Sequence, residues 1–299
     1  FSASEQRTRI HEMVQVATGV RGIECATDLE AQVRELRMIA ARSPRYNRRS
    51  RNQDRLWWLK LTGGSLPRLV ATRTPSPDDL FWGPFPGLTA ARESSRVFRD
   101  VFGMLEHRHH RSVRESWAAP EPEGYETSVE RLRNTWLGDV RDLLASASPR
   151  LAELVAQERF EEARELTDRL LAAHQTSRRF HRVRSLAGCP ELVAAAPEHD
   201  EWAVHVIRFG KLAGAARSRT AQVPEIAETT RDLSETVQEA PGGLPAGSFE
   251  EAERIADWLE SPGVRFVETV GDWAWPAHCA LDQERVTELI TTGTVGRSR

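Results

Sequence analysis

The sequence predicts a mixed α+β fold that is helical for most of its length, and three observations carry that prediction. Apolar residues recur at helical spacing in the segments 4–17, 28–42 and 151–173. Two short runs rich in aromatic and β-branched residues, "RLWWLKLT" and "PRLVATRT", flank Gly63-Gly64, as strands joined by a turn would. Farther on, "WAVHVIRFGKLAGAAR" alternates at period two around Gly210-Lys211, the pattern of a β-hairpin. With 299 residues, 39% hydrophobic and 28% charged, the chain is long enough for two domains with a core in each.

In chain order, Ile10, Met13, Val14 and Ala17 mark a first helix that Gly19 ends. "VRGIECAT" reads as a short strand, and Thr27-Asp28-Leu29-Glu30 spells a capping box in which Thr27 caps a helix and Glu30 reaches back. That helix, 28 to 42, carries Leu29, Val33, Leu36 and Ala40 as a narrow apolar stripe and stops before Ser43-Pro44, since a residue preceding proline avoids the helical region. Glu35 sits about 100–120° from the stripe's centre. "PSPDDLFWGPFPG" reads as a loop into a helix from 89 to 105, and 106–128 as a polar linker. Beyond the linker, Leu151, Leu154, Val155, Phe160, Ala163, Leu166 and Leu170 suit a helical hairpin. After the β-hairpin come a charged helix, a Pro/Gly loop at 241–247 and a last helix-strand unit ending in "DWAWP".

A net charge of only -3 places any polyanion binding in local patches. Cys25, Cys189 and Cys279 lie far apart with no CxxC spacing, which argues against a disulfide framework or a cysteine-built zinc site. No apolar run approaches the roughly 18 residues of a membrane span, and no leader pattern is visible, so a cytoplasmic, membrane-free protein is expected. Residue 1 is Phe and no strand leads the first helix, which suggests a truncated chain.

The densest local charge is "RSPRYNRRSRNQDRLWWLKL", residues 42–61, with six arginines and a lysine against one aspartate. Arginines among Asn47, Asn52 and Gln53, ending in Trp57-Trp58, offer phosphate contacts, amide donors and stacking faces to a nucleic acid. The other reading is a solvated basic loop before a core strand.

"EAQVRELRMIAARSPRYN" resembles the segment of excinuclease C, of the excinuclease ABC system, and of the stand-alone Cho endonucleases where a glutamate-bearing helix runs into a proline, an aromatic and an asparagine. "RLWWLKLT", "PRLVATR" and "LFWGPFPGLTAARESSRVFRDVF" continue the likeness in order, to about residue 105. The resemblance implies part of a GIY-YIG nuclease domain that cuts one DNA strand with a single divalent metal, Mg²⁺ or Mn²⁺. It makes Glu35 the metal ligand and places Asn47 beside it as the second catalytic-site residue. A hard dication often takes one carboxylate, waters and the phosphate itself. Without that likeness Glu35 reads as an exposed carboxylate pairing with Arg34 or Arg37. Arg42, Arg45, Arg48, Arg49, Arg51 and Lys60 are the expected DNA contacts.

"FEEARELTDRL" is similar to the family's UVR motif, which implies docking on excinuclease B through Phe160, Glu161, Ala163, Leu166 and Asp168, although Thr167 stands where the family prefers arginine. The family's catalytic tyrosines and helix arginine match nothing in the chain, whose two tyrosines are Tyr46 and Tyr125. Its cysteine cluster is absent from the linker, where His107, His109 and His110 read as solvated. Actinobacterial relatives carry an exonuclease domain upstream. The expected map is a partial nuclease domain at 1–105, the linker 106–128, a helical region with the UVR-like hairpin at 129–185 and a small α+β tail at 186–299. The expected function is a DNA-repair endonuclease of nucleotide excision repair, this chain alone cutting little. The alternative is a non-catalytic module that binds DNA and a helical partner.

Overall fold

The computed structural model describes residues 8–47, 50, 55–105, 123–274 and 286–287. Arg48, Arg49, Arg51, the three linker histidines, Trp275 and Cys279 lie outside the described residues. Helices α1 (Thr8–Val16) and α2 (Asp28–Arg42) precede strands β1 (Trp57–Leu61), β2 (Leu69–Thr72) and β3 (Leu80–Phe85). Helices α3 (Leu88–Phe102), α4 (Tyr125–Trp136), α5 (Arg141–Ala156) and α6 (Phe160–Ala187) follow. The remainder is β4 (Glu191–Glu198), β5 (Glu201–Arg208), β6 (Lys211–Ser218), α7 (Val223–Leu233), α8 (Phe249–Leu259) and β7 (Arg265–Val270). Among the described residues no helix is long and apolar enough to cross a membrane.

The chain folds as two compact units: one gathers 1–54, 186–240 and 244–273, the other 55–185, 241–243 and 274–299. Residues 1–105, grouped by the sequence as one domain, are therefore shared between both. The cause is the apolar stripe of α2. Leu29 and Val33 are buried with Leu192, Ala194, Ile207 and Leu212 of the C-terminal sheet and with Ile255, Ala256 and Leu259 of α8.

That first unit is built on an antiparallel sheet of order β6-β5-β4-β7. Side chains alternate across a strand, so Leu192 and Ala194 face α2 and α8 while Val193 and Ala195 face the opposite way, with Val204, Val206 and Ala227 of α7. The expected β5–β6 hairpin forms, but it turns on Phe209-Gly210, one residue before the expected Gly210-Lys211: these two have φ of 49° and 72°, both positive as a type I′ hairpin demands. Strand β4 was not foreseen. Its "ELVAAAPE" is buried on both faces, so it shows no alternation to read, and alanine is a weak strand former. Nor does "VRGIECAT" form the expected strand: it pairs with no described segment, and Val20 and Ile23 stay exposed.

His205 of β5 lies in this unit's interior, edge-on to the Trp258 ring at 4.3 Å with Nε2 2.8 Å from Thr27 Oγ1. Burial pushes its pKa down to about 3, so the ring is neutral and joins the start of α2 to the sheet without a buried charge.

The second unit holds a sheet of order β2-β1-β3 with α3, α4, α5 and most of α6. Strand β3 corrects the expected "PSPDDLFWGPFPG" loop. It is an edge strand, where the missing N–H of Pro84 need not break the ladder. Gly83 has φ 146°, and a Cβ there would stand 3.2 Å from the Trp58 ring. Trp82 and Trp136 stack at 6.0 Å, with Phe85 and Phe98 edge-on to Trp82. Helix α4 starts at Tyr125, inside the expected linker, because Tyr125 is buried and its hydroxyl donates to the Pro67 carbonyl at 2.5 Å.

Candidate functional site

Local signals place α2 as the sequence predicts. Thr27 Oγ1 accepts the Glu30 N–H at 3.1 Å, while Glu30 reaches back to the Ala26 N–H at 2.6 Å, one residue earlier than the usual box. Ser43 ends the helix in the left-handed region, its N–H bonded to the Ile39 carbonyl. The buried stripe is Leu29, Val33, Leu36 and Ile39. Ile39, with far more surface to bury than the methyl of Ala40, takes the place the sequence reading assigned to Ala40, which is exposed.

The rotation of α2 is also held by Arg37, whose Nε and Nη2 donate to the Glu251 carboxylate of α8 at 3.0 and 2.7 Å. Glu251 is 2% exposed and also accepts the Leu212 N–H at 3.0 Å. Burial works to lower the Arg37 pKa, but the hydrogen bonds and charge of Glu251 outweigh it and hold the guanidinium above its ordinary value.

With that face turned inward, Glu35 is exposed on the other side of α2. It lines a groove of about 390 Å³ with Arg21, Cys25, Arg34, Met38 and Arg42. The two arginines that would neutralise it in a purely structural role are engaged elsewhere, Arg34 with Glu30 at 2.8 Å and Arg37 with Glu251. Among the described residues, Glu35 has neither an ion pair nor a hydrogen bond. It is the carboxylate of the described lining; with Arg34 balanced by Glu30, Arg21 and Arg42 still outnumber it, so the groove favours anions.

The other expected site residues divide. Arg42 shares the groove with Glu35; Asn47 follows Pro44 of the groove wall but is not itself in the lining, its N–H closing a turn on the Pro44 carbonyl at 3.3 Å. Arg45 stacks its guanidinium 5.7 Å from the Tyr46 ring. Lys60 belongs to the second unit and is bound to Asp79 at 3.1 Å. The Asp79 carboxyl is held below its usual range chiefly by the Ser76 N–H, with Lys60 adding to it.

On the helix pair, α5 and α6 are joined by residues 157–159, with Val155 and Phe160 52% and 62% exposed beside the turn. Glu161 pairs with Arg164, Asp168 is exposed, and Ala163 and Leu166 are buried. One constellation escaped the sequence reading: ligand atoms of Asp28, Glu198 and His199 lie within 4.8 Å of one another. Asp28 is 170 residues from Glu198, a separation no spacing rule bridges. Glu198 there accepts the Asp28 N–H at 3.1 Å and pairs with Arg217 at 3.6 Å.

Searches of protein-family models and of solved structures return no match. Among curated proteins, the chain is 34% identical over 98% of its length to a Mycobacterium tuberculosis protein named "Putative bifunctional exonuclease/endonuclease protein", covering 50% of that protein. It is 24% identical over 97% of its length to UvrABC system protein C of Natronomonas pharaonis, covering 55% of it. The same-named protein of Methanosarcina mazei is 27% identical over 58% of the chain and 35% of its own length. The chain thus spans about half, or less, of the length of these relatives. The chain is a homologue of the putative exonuclease/endonuclease and of proteins named UvrABC system protein C.

Proposed function

We propose that the groove at Glu35 is part of a DNA nuclease site of the GIY-YIG type, working by metal-assisted phosphodiester hydrolysis in nucleotide excision repair. The observation that carries this reading is an exposed carboxylate, unpaired among the described residues, in a groove otherwise lined by Arg21, Arg34 and Arg42. The names of the relatives support it. Glu35 would hold Mg²⁺ or Mn²⁺, which would supply neutralising charge to the phosphate and the leaving oxygen. The donor set fits such an ion only together with a phosphodiester, since the guanidiniums of Arg21 and Arg42 repel a bare dication. The arginines would hold the phosphate, and Asn47, three residues beyond Pro44 of the groove wall, would meet the strand beside it.

With Glu35 given to the metal and the Cys25 thiol directed to the Ile23 carbonyl, the described lining offers no further group to take the proton of the attacking water. Activation of the attacking water is therefore assigned to residues outside the described groove, and the chain alone is expected to cut poorly. A supercoiled-plasmid nicking assay with Mg²⁺ or Mn²⁺ tests this on the present chain and on a protein extended upstream. Glu35→Gln is expected to lower cutting by the extended protein by about tenfold or more while leaving DNA affinity unchanged. Undiminished cutting by Glu35→Gln would sink the assignment. The single carboxylate of the groove also supports a second reading, a non-catalytic module binding DNA and a partner; DNA binding with no Glu35-dependent cutting by either protein would establish it.

The proposal includes a partner. Phe160 and Val155 beside the α5–α6 turn leave apolar surface unburied, which suits docking of an amphipathic hairpin from excinuclease B. Phe160→Ala is expected to weaken co-elution with that protein by about tenfold, as loss of an aromatic anchor does. Unchanged co-elution would remove the surface from the proposal.

A further inference from the structure

We infer that the second unit carries a separate binding groove for single-stranded nucleic acid, formed by Trp57 and the outer face of α3. Arg92, Arg96 and Arg99 stand at i, i+4 and i+7 on that helix, so one face presents all three. They form one wall of a groove of about 360 Å³ whose remaining lining includes Trp57, Leu59 and Leu69, with no carboxylate in it. Leu59 and Leu69 are 1% and 2% exposed, a fixed apolar floor, whereas Trp57 is only half-buried. Its neighbour Trp58 is packed away edge-on to Phe81 and Phe180, leaving Trp57 as the one of the pair that can offer a ring to a ligand.

An apolar floor, an accessible indole and a row of guanidiniums match the two faces of a nucleotide strand, base and phosphate. Spacing supports the match. From Arg92 to Arg99 is about 10 Å of helix axis, long enough for the row to follow a strand past more than one of its phosphates. Two of the arginines are readily available: among the described residues Arg92 has no ion pair and Arg96 pairs only with exposed Glu93, at 2.9 Å. Arg99 approaches Asp100 at 3.7 Å. Such exposed pairs are weak and exchange readily for phosphate. A single strand fits better than a duplex because only its bases are free to stack on Trp57. That the polymer is DNA rests on the nuclease reading; the groove itself does not involve Glu35.

Fluorescence anisotropy of a labelled oligo(dT) without divalent metal tests this, alongside a duplex of the same length and polyglutamate. Oligo(dT) is expected to bind more tightly than either. Changing Arg92, Arg96 and Arg99 together to Gln is expected to reduce the slope of log affinity against log salt by about 2, as loss of three contacts to a single strand would. The corresponding triple Lys variant keeps the slope. Trp57→Ala is expected to weaken oligo(dT) roughly 5- to 150-fold, and Trp57→Phe to restore most of it, which separates stacking from a folding defect. An unchanged slope in the Gln variant, equal binding of polyglutamate, or equal affinity for the duplex with no effect of Trp57→Ala would each overturn the inference. Because the binding is read without divalent metal and its variants lie outside the Glu35 groove, a failure here is distinct from a failure of the cutting assignment.

Discussion

Trp82→Ala is expected to destabilise the second unit by about 3–5 kcal/mol, the range for removing a large aromatic from a packed core. Trp82 is fully buried, stacked on Trp136 and edge-on to Phe85 and Phe98. Its Nε1 donates to Ser177 Oγ of α6 at 2.9 Å. One side chain thus joins β3, α3, α4 and α6, and its loss leaves both a cavity and a buried hydroxyl without its partner. Urea unfolding followed by far-UV circular dichroism measures it. Trp82→Phe, which keeps ring packing but not the hydrogen bond, is expected to fall between the two. A loss below about 1 kcal/mol for the alanine variant would mean that the aromatic cluster repacks and does not organise the unit.

The groove beside Trp57 depends on that cluster, since β3 pairs Trp82 with Leu59 of β1. This dependence was hidden in the sequence. Gly83-Pro84 masks β3 as a loop, and nothing in the spacing of Arg92, Arg96 and Arg99 says that Trp57 is beside them. By contrast α2 was legible to its ends, because Thr27, Glu30 and Ser43-Pro44 act within one turn of the positions they control. The outward placement of Glu35 was legible for the same reason: it follows from helical angle alone. What surrounds Glu35 was not, for Arg21 comes from a segment without regular structure. The partner that removes Arg37 from it lies 214 residues away. The grouping of α2 with a C-terminal sheet is the same kind of fact. Its apolar stripe requires some partner, but the residues of the stripe do not say which.

Glu251→Ala is expected to destabilise the first unit by about 2–4 kcal/mol. A wholly buried pair, broken from one side, loses about 3–5 kcal/mol; the Arg37 side chain is 40% exposed and can turn part of its charge to water, which reduces the loss. The Leu212 N–H cannot do so, because its donor sits in the core with Glu251 as acceptor. Arg37→Met should therefore cost more than Glu251→Gln: it leaves the 2% exposed carboxylate as a buried charge without its cation, whereas the Gln amide oxygen can still serve Leu212 and the freed guanidinium can turn to water. A double-mutant cycle on Arg37 and Glu251, read by urea unfolding, isolates the pair, with a coupling of about 1 kcal/mol or more expected. Near-zero coupling would show that the apolar stripe alone orients α2. If the coupling is found, the same variants at Glu251 should loosen the setting of α2 and weaken the cutting proposed for Glu35 in the extended protein, though neither Arg37 nor Glu251 lines that groove.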